Sequence, residues 1–231
     1  MKKWILLSAI VSQQVLAAPP CSPETSPGKV CEVEIAQLHP TQPGIGLLQV
    51  NAEQQKLSQK SAKKLDNYLA KKEIPVVISP AGDYWLVDRH HLTRTLWQMG
   101  KTKTDVRIIA HLVDQKTFWQ QMATNHWAWL KNEQGQRITP EQLPAHIADL
   151  PDYPYRSLAG LLQDEGYFEK KEQVYFVEFA WASWLGDKMN WAAVNADNLH
   201  ERLEQAKTLA CEPEAKSLPG YPGKMCSAKT R

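Results

Sequence analysis

The sequence predicts an α+β fold, with a small mixed sheet-and-helix unit in the first half and a mainly helical second half. Three observations predict it. β-branched and aromatic runs separated by turn formers fill residues 30–113, a strand-turn-strand pattern spans Pro75 to Val87, and apolar residues from Lys116 onward fall at helical spacing in aromatic-rich segments.

The first 17 residues carry Lys2 and Lys3, an apolar run from Trp4 to Val11 and small residues near Ala17. That pattern reads as a secretory leader, too short to span a bilayer. Cleavage there leaves a mature chain of 214 residues with 25 basic and 25 acidic side chains. A balance near zero gives no global attraction to nucleic acid, so polyanion binding would rest on a local patch. The lysine series Lys60, Lys63, Lys64, Lys71 and Lys72 reads chiefly as the solvated face of an amphipathic helix. No later window approaches the roughly 20 apolar residues of a membrane helix. An exported, periplasmic protein without a membrane span is the expectation. Cys21, Cys31, Cys211 and Cys226 are then expected to be oxidised. Three pairings are open, and two local loops, Cys21 with Cys31 and Cys211 with Cys226, are favoured because both enclose Pro- and Gly-containing segments. Their spacing matches no familiar zinc pattern.

In chain order, residues 18–33 form a disulfide-tethered segment and residues 34–115 the α+β unit. Val30 to Gln37 alternates as a strand and stops at Pro40 and Pro43. Gly44 to Val50 reads as a connector, and a helix starting at Asn51 or Ser58 carries Leu57, Leu65 and Leu69 to Lys72. Val76-Val77-Ile78, the turn formers Pro80 to Asp83, and Tyr84 to Val87 make a hairpin. Asp88 stands where an N-cap belongs, Leu92, Leu96 and Met99 follow at helical spacing, and Gly100 sits at the C-terminus. Val106 to Val113 is a further strand. In the helical extension, residues 116–221, helices are expected over Phe118–His126, Ser157–Gly166, Val174–Leu185 and Ala196–Leu209, with Ser157 as a cap. Leu143 to Pro154, rich in proline, reads as an exposed crossing, and residues 222–231 as a tail. Trp119, Trp127, Trp129, Trp181, Trp184 and Trp191 read chiefly as core, with base stacking the alternative.

The chemistry concentrates at the helix after Asp88. A helix N-terminus offers unpaired N–H groups and partial positive charge, and Arg89, His90, His91, Thr93 and Arg94 add donors there. A cradle for a phosphate or other anion is the inference. Adjacent histidines point about 100° apart, so they cannot meet one ligand from the same angle. Arg156, at the mouth of a later helix, is a candidate second anion contact. The structural alternative is that Asp88 is only a cap and each histidine a satisfied side chain.

The run LHPTQ at Leu38 to Gln42, PVVISPAGDYWLVDRHHLTRTLWQMG, DYPYRSLAGLLQDEGYF at Asp152 to Phe168, FAWASWL at Phe179 to Leu185 and LPGY at Leu218 to Tyr221 recur in order. Together they resemble the ParB-like nuclease family, of ParB/sulfiredoxin-type fold, over roughly Glu34 to Tyr221. The resemblance implies that Asp88 to Arg94 hold a nucleotide's phosphates at the helix N-terminus, with Gln42 of LHPTQ nearby. ParB proteins carry a Gly-Glu-Arg-Arg run at this place, and sulfiredoxins a Gly-Cys-His-Arg run. This chain has neither the glycine nor the cysteine, which argues against sulfiredoxin chemistry and CTP switching.

Three functions follow as expectations. The first is hydrolysis of nucleic-acid phosphodiesters, with Asp88, His90 and His91 catalytic and Arg89, Thr93, Arg94, Gln42 and Arg156 binding phosphate. Asp88 admits a divalent metal, though no metal-ligand cluster is readable. The second is a phosphotransferase that binds a nucleotide or another phosphate compound, and the third a non-catalytic periplasmic binding protein. Fold alone does not choose between them.

Overall fold

The computed structural model describes residues 18–170, 175–221 and 226. The stretch read as a leader, residues 1–17, and, apart from Cys226, the stretch read as a tail, residues 222–231, lie outside the described residues. Five strands form one mixed sheet: β1 (Val30–Glu34), β2 (Leu38–Pro40), β3 (Pro75–Ile78), β4 (Tyr84–Leu86) and β5 (Lys103–His111). Their order is β1-β5-β3-β4-β2. β1 with β5 and β3 with β4 are antiparallel, whereas β3 with β5 and β2 with β4 are parallel.

Alternation along the strands builds two cores. Val76, Ile78, Tyr84, Leu86, Val106 and Ile108 enter a cluster with Leu57 of α1 (Leu47–Ser58), Leu65 of α2 (Ala62–Leu69), and Leu92 and Leu96 of α3 (His90–Gln98). Val77 and Trp85, on the opposite face, pack with Phe118 and Met122 of α4 (Phe118–Thr124). A third cluster joins α5 (Pro154–Asp164), α6 (Val177–Lys188) and α7 (Leu199–Leu209). There Trp181 is fully buried, stacks on Phe168 at 4.6 Å and donates its indole N–H to the Pro219 carbonyl at 2.8 Å. The α+β class, the hairpin and α3 with Gly100 at φ 76° follow the sequence pattern.

Both cysteine pairs, Cys21 with Cys31 and Cys211 with Cys226, are bonded. The first lies where the N-terminal segment covers the sheet edge. Cys21 donates to the Glu32 carbonyl and Glu32 to that of Pro19, each at 2.8 Å, so the outer side of β1 is not left as an open template. Among the described residues, no helix is long and apolar enough to cross a membrane.

Several boundaries differ from the sequence reading for tertiary reasons. Pro40 does not stop the strand pattern, because Leu38–Pro40 resumes it as a short edge strand beside β4, where a missing N–H is tolerated. The segment read as a connector starts α1 at Leu47, whose N–H is accepted by Asp152 Oδ1 at 2.9 Å from 105 residues away. The single helix expected to run to Lys72 is two, broken before Ala62. The crossing over 143–154 is not simply exposed. Ile147 and Leu150 insert into the first core, Ile45 donates its N–H to the Pro151 carbonyl, and Tyr153 donates to the Ile45 carbonyl. Ser157 is no cap, since α5 begins at Pro154 and Ser157 is buried within it.

That burial is where α1 meets α5. A Cβ added at Gly46 would stand 2.5 Å from Ser157 Oγ and 2.8 Å from its backbone nitrogen. Because backbone cannot yield as a flexible side chain does, Gly46→Ala is expected to cost about 1–3 kcal/mol in urea unfolding. An unchanged midpoint would show that α1 is free to slide on α5.

Candidate functional site

Asp88 and Arg89 link β4 to α3. Asp88 Oδ1 accepts the Arg89 N–H at 2.7 Å, and Arg89 turns into the left-handed region at φ 67°. The helix therefore starts one residue later than an Asp88 cap would give. Arg89 occupies the cap position, and no side chain caps the helix. The N–H groups of His90, His91 and Leu92 have no acceptor within their own helix, so its partial positive charge stays available.

The two histidines are held differently from that open end. His90 is buried, and its Nε2 accepts the Thr41 N–H at 3.1 Å while Thr41 Oγ1 donates to the Leu86 carbonyl at 2.7 Å. His91 Nε2 accepts the Gly46 N–H at 3.3 Å. Both rings are therefore neutral, with the proton on Nδ1. Burial pushes His90 down to about 4, against the upward pull of the Asp88 charge and the Leu86 carbonyl. Burial and then the charge of Arg156 hold His91 well below the ordinary histidine range. A ring with so little proton affinity, its lone pair already committed to a backbone N–H, is a poor base. The histidines latch the LHPTQ segment and the start of α1 onto α3, which corrects the reading of the pair as catalytic bases.

Two clefts meet at this helix end and share Gln42, Asp88, His90, Arg156 and Lys170. One, of about 410 Å³, extends toward residues 125–127 and 175–179. The other, of about 230 Å³, extends past Arg89 to Glu53, Tyr68 and Lys72. Arg156 comes from the first turn of α5 and is buried. Its Nη1 donates to Gln49 Oε1 at 3.2 Å, Nη2 lies 3.4 Å from Glu178 Oε1, and its carbon stands 5.4 Å from the Phe179 ring centre. The Arg156 Nε has no partner. Lys170 Nζ reaches the same Glu178 oxygen at 2.5 Å. Burial alone would raise the Glu178 carboxyl, but Arg156 and Lys170 together hold it below the usual range. One carboxylate thus serves two cations, leaving positive charge directed at the cleft. Asp88 is mostly exposed, with Oδ2 4.0 Å from Arg89 Nε, beyond hydrogen-bond reach.

Residues 31–187 match the family model described as "Putative ParB-like nuclease". The chain belongs to this ParB-like nuclease family. It is similar to the crystal structure of protein Atu1540 from Agrobacterium tumefaciens, with a TM-score of 0.74 and 28% identity over 84% of this chain and 96% of that one. It also aligns with C-terminally truncated chromosome-partitioning protein ParB from Caulobacter crescentus, complexed with CTP-gamma-S. That match has 14% identity and a TM-score of 0.29 over 88% of this chain and 100% of the other, too weak to bear on the site. No curated protein matches.

Of the residues expected to hold phosphate, this ParB-like family member brings Gln42, Arg89 and Arg156 together at the clefts. Gln42 is itself partly committed, its amide donating to the Gly44 carbonyl at 2.9 Å. Two others are corrected. Arg94 turns away and donates to the Ile147 and Ala148 carbonyls, with Trp97 beneath its guanidinium at 4.8 Å. Thr93 is fully buried on the core side of α3. Lys170, Lys72, Glu53 and Glu178 were missed. Lys72 sat in the lysine series read as solvated, whereas Lys170 and Glu178 carry no sequence signal because helix packing alone brings them to Arg156.

Proposed function

We propose that the chain binds a phosphate ester at the N-terminus of α3 and hydrolyses a nucleic-acid phosphodiester there. The observation that carries this reading is the uncapped helix end facing the place where Arg89, Arg156 and Lys170 converge. Asp88, exposed and with one oxygen uncommitted, takes a proton from the attacking water. The hydroxide adds to phosphorus, and the bond to the leaving oxygen breaks. Charge on the pentavalent phosphate is met by Arg89, Lys170 and the N–H groups of α3, while Glu178, itself paired with Arg156, fixes Lys170 in place. The leaving oxygen takes its proton from solvent.

Among the described residues, no three His, Cys, Asp or Glu side chains form a metal-ligating group. A divalent ion would be held chiefly by the substrate's phosphate oxygens, supplying charge neutralisation there and leaving the free Asp88 oxygen as the base. Two disulfides support an exported, oxidising setting, and hydrolysis suits it because no cytoplasmic cosubstrate is required.

The test is cleavage of single-stranded and duplex DNA and RNA by the oxidised chain with Mg²⁺, Mn²⁺ or Zn²⁺. Asp88→Asn is expected to slow cleavage about a hundredfold with the melting curve unchanged. No cleavage by the wild type under any of these conditions would end the hydrolytic reading. Cleavage undiminished in Asp88→Asn would remove Asp88 from the mechanism.

A further inference from the structure

The larger cleft has a second wall whose chemistry is not that of a phosphate site. His126 and Tyr175 lie with ring centres 4.2 Å apart and planes 8° from parallel. Both are exposed, Tyr175 by 51%, and neither belongs to any of the three apolar clusters. Trp127 and Phe176 stand beside them along the same cleft.

The backbone here is strained. Phe176 at φ 55° occupies the left-handed region, which side chains of its bulk rarely adopt, while His126 at φ 57° closes the C-terminal turn of α4, where Trp127 donates to the Met122 carbonyl at 2.8 Å. Arg89, on the adjoining smaller cleft, is left-handed too at φ 67°. Such strain persists where the surrounding structure enforces it, and it gathers at ligand clamps. Trp127 packs beside the Phe118–Met122 cluster and Phe176 against Trp129 and Phe179, but folding gains little from the exposed His126–Tyr175 pair, so packing does not account for that pair.

We propose that this wall is a stacking subsite for an unpaired nucleobase, and that the ligand is a phosphate ester carrying such a base. The inference rests on the phosphate reading of the α3 end and narrows it. Aromatic side chains offer a flat face to every base, whereas a bare phosphate has no ring and a duplex keeps its base faces stacked inside. Asp88, His90, Arg156 and Lys170 line the same cleft as His126 and Tyr175, so phosphate and base are met within one cavity. Single strands and free nucleotides share this chemistry. The preferred substrate is accordingly single-stranded.

The test measures binding of the full oxidised chain to a fluorescein-labelled oligothymidylate, a duplex of equal length, thymidine monophosphate and pyrophosphate. Wild type is expected to bind the single strand at least tenfold more tightly than the duplex. Tyr175→Ala should weaken the single strand about tenfold, Tyr175→Phe should keep it, and neither should change pyrophosphate binding. Arg89→Ala should weaken every probe. Thymidine monophosphate weakened by Tyr175→Ala as much as the oligonucleotide would identify a free nucleotide as a sufficient ligand. Single-strand affinity within twofold of wild type in Tyr175→Ala, or equal affinity for duplex, overturns the stacking subsite. A loss in Tyr175→Ala with none in Arg89→Ala leaves the subsite standing and removes the phosphate cradle. Failure of every probe to bind overturns both. Tyr175 is half-exposed, so a matching urea melt confirms that its variants are folded.

Discussion

Between pH 6.5 and about 4, the protein is expected to lose about 3 kcal/mol of stability through His90. The folded-state pKa lies below the unfolded one, so above pH 6.5 the ring is neutral in both states and this contribution is intact. As pH falls, the unfolded chain takes up a proton that the buried ring refuses, and stability drops until the folded ring also protonates near 4. Protonation also removes the Nε2 lone pair that accepts the Thr41 N–H. The LHPTQ segment, with Gln42 on the cleft, would then lose a tie to α3. His91 acts in the same direction, since burial and the charge of Arg156 hold it well below the ordinary histidine range. Asp152 and Glu133 oppose the trend, because burial raises both carboxyls and favours the folded state on acidification. Urea unfolding across this range, compared with His90→Gln, isolates the term. The variant should show a flatter pH dependence, and an identical slope would show that His90 does not carry it.

How much of this could be read from the chain follows a physical divide. Local signals placed the hairpin, α3, both disulfides and the helical second half, because turn residues, apolar periodicity and loop spacing act over a few positions. What the sequence hid depends on contacts between distant segments. α1 begins at Leu47 because Asp152 caps it, and residues 143–154 lie partly in the core because Ile147 and Leu150 have a sheet unit to enter. The candidate site divides likewise. The DRHH run and its helix end were legible, but burial reassigned His90, Thr93 and Arg94 to holding α3 in place. Lys170 and the His126–Tyr175 pair required the helical half to be folded against the sheet.

Glu178→Ala is expected to destabilise the protein by about 3–5 kcal/mol, because it leaves the Arg156 guanidinium buried without its carboxylate. The side chains of Arg156 and Glu178 are only 10% and 8% exposed, so little solvent remains to replace the lost partner. Lys170, mostly exposed, can return to water when Glu178 is removed. Arg156 cannot, since α5 and Phe179 enclose it and its Nε already lacks a partner. The combined change Arg156→Met with Glu178→Leu tests this reasoning. Removing both charges eliminates the unmatched ion, and apolar side chains of similar volume are expected to recover most of the lost stability. Phosphate binding should not recover with it, because Arg156 is absent and Lys170 has lost the carboxylate that fixes it. A double variant that folds like wild type and still binds pyrophosphate would show that Arg156 and Glu178 serve packing alone. A cost below about 1 kcal/mol for Glu178→Ala would show that water reaches the guanidinium, contrary to the burial seen here.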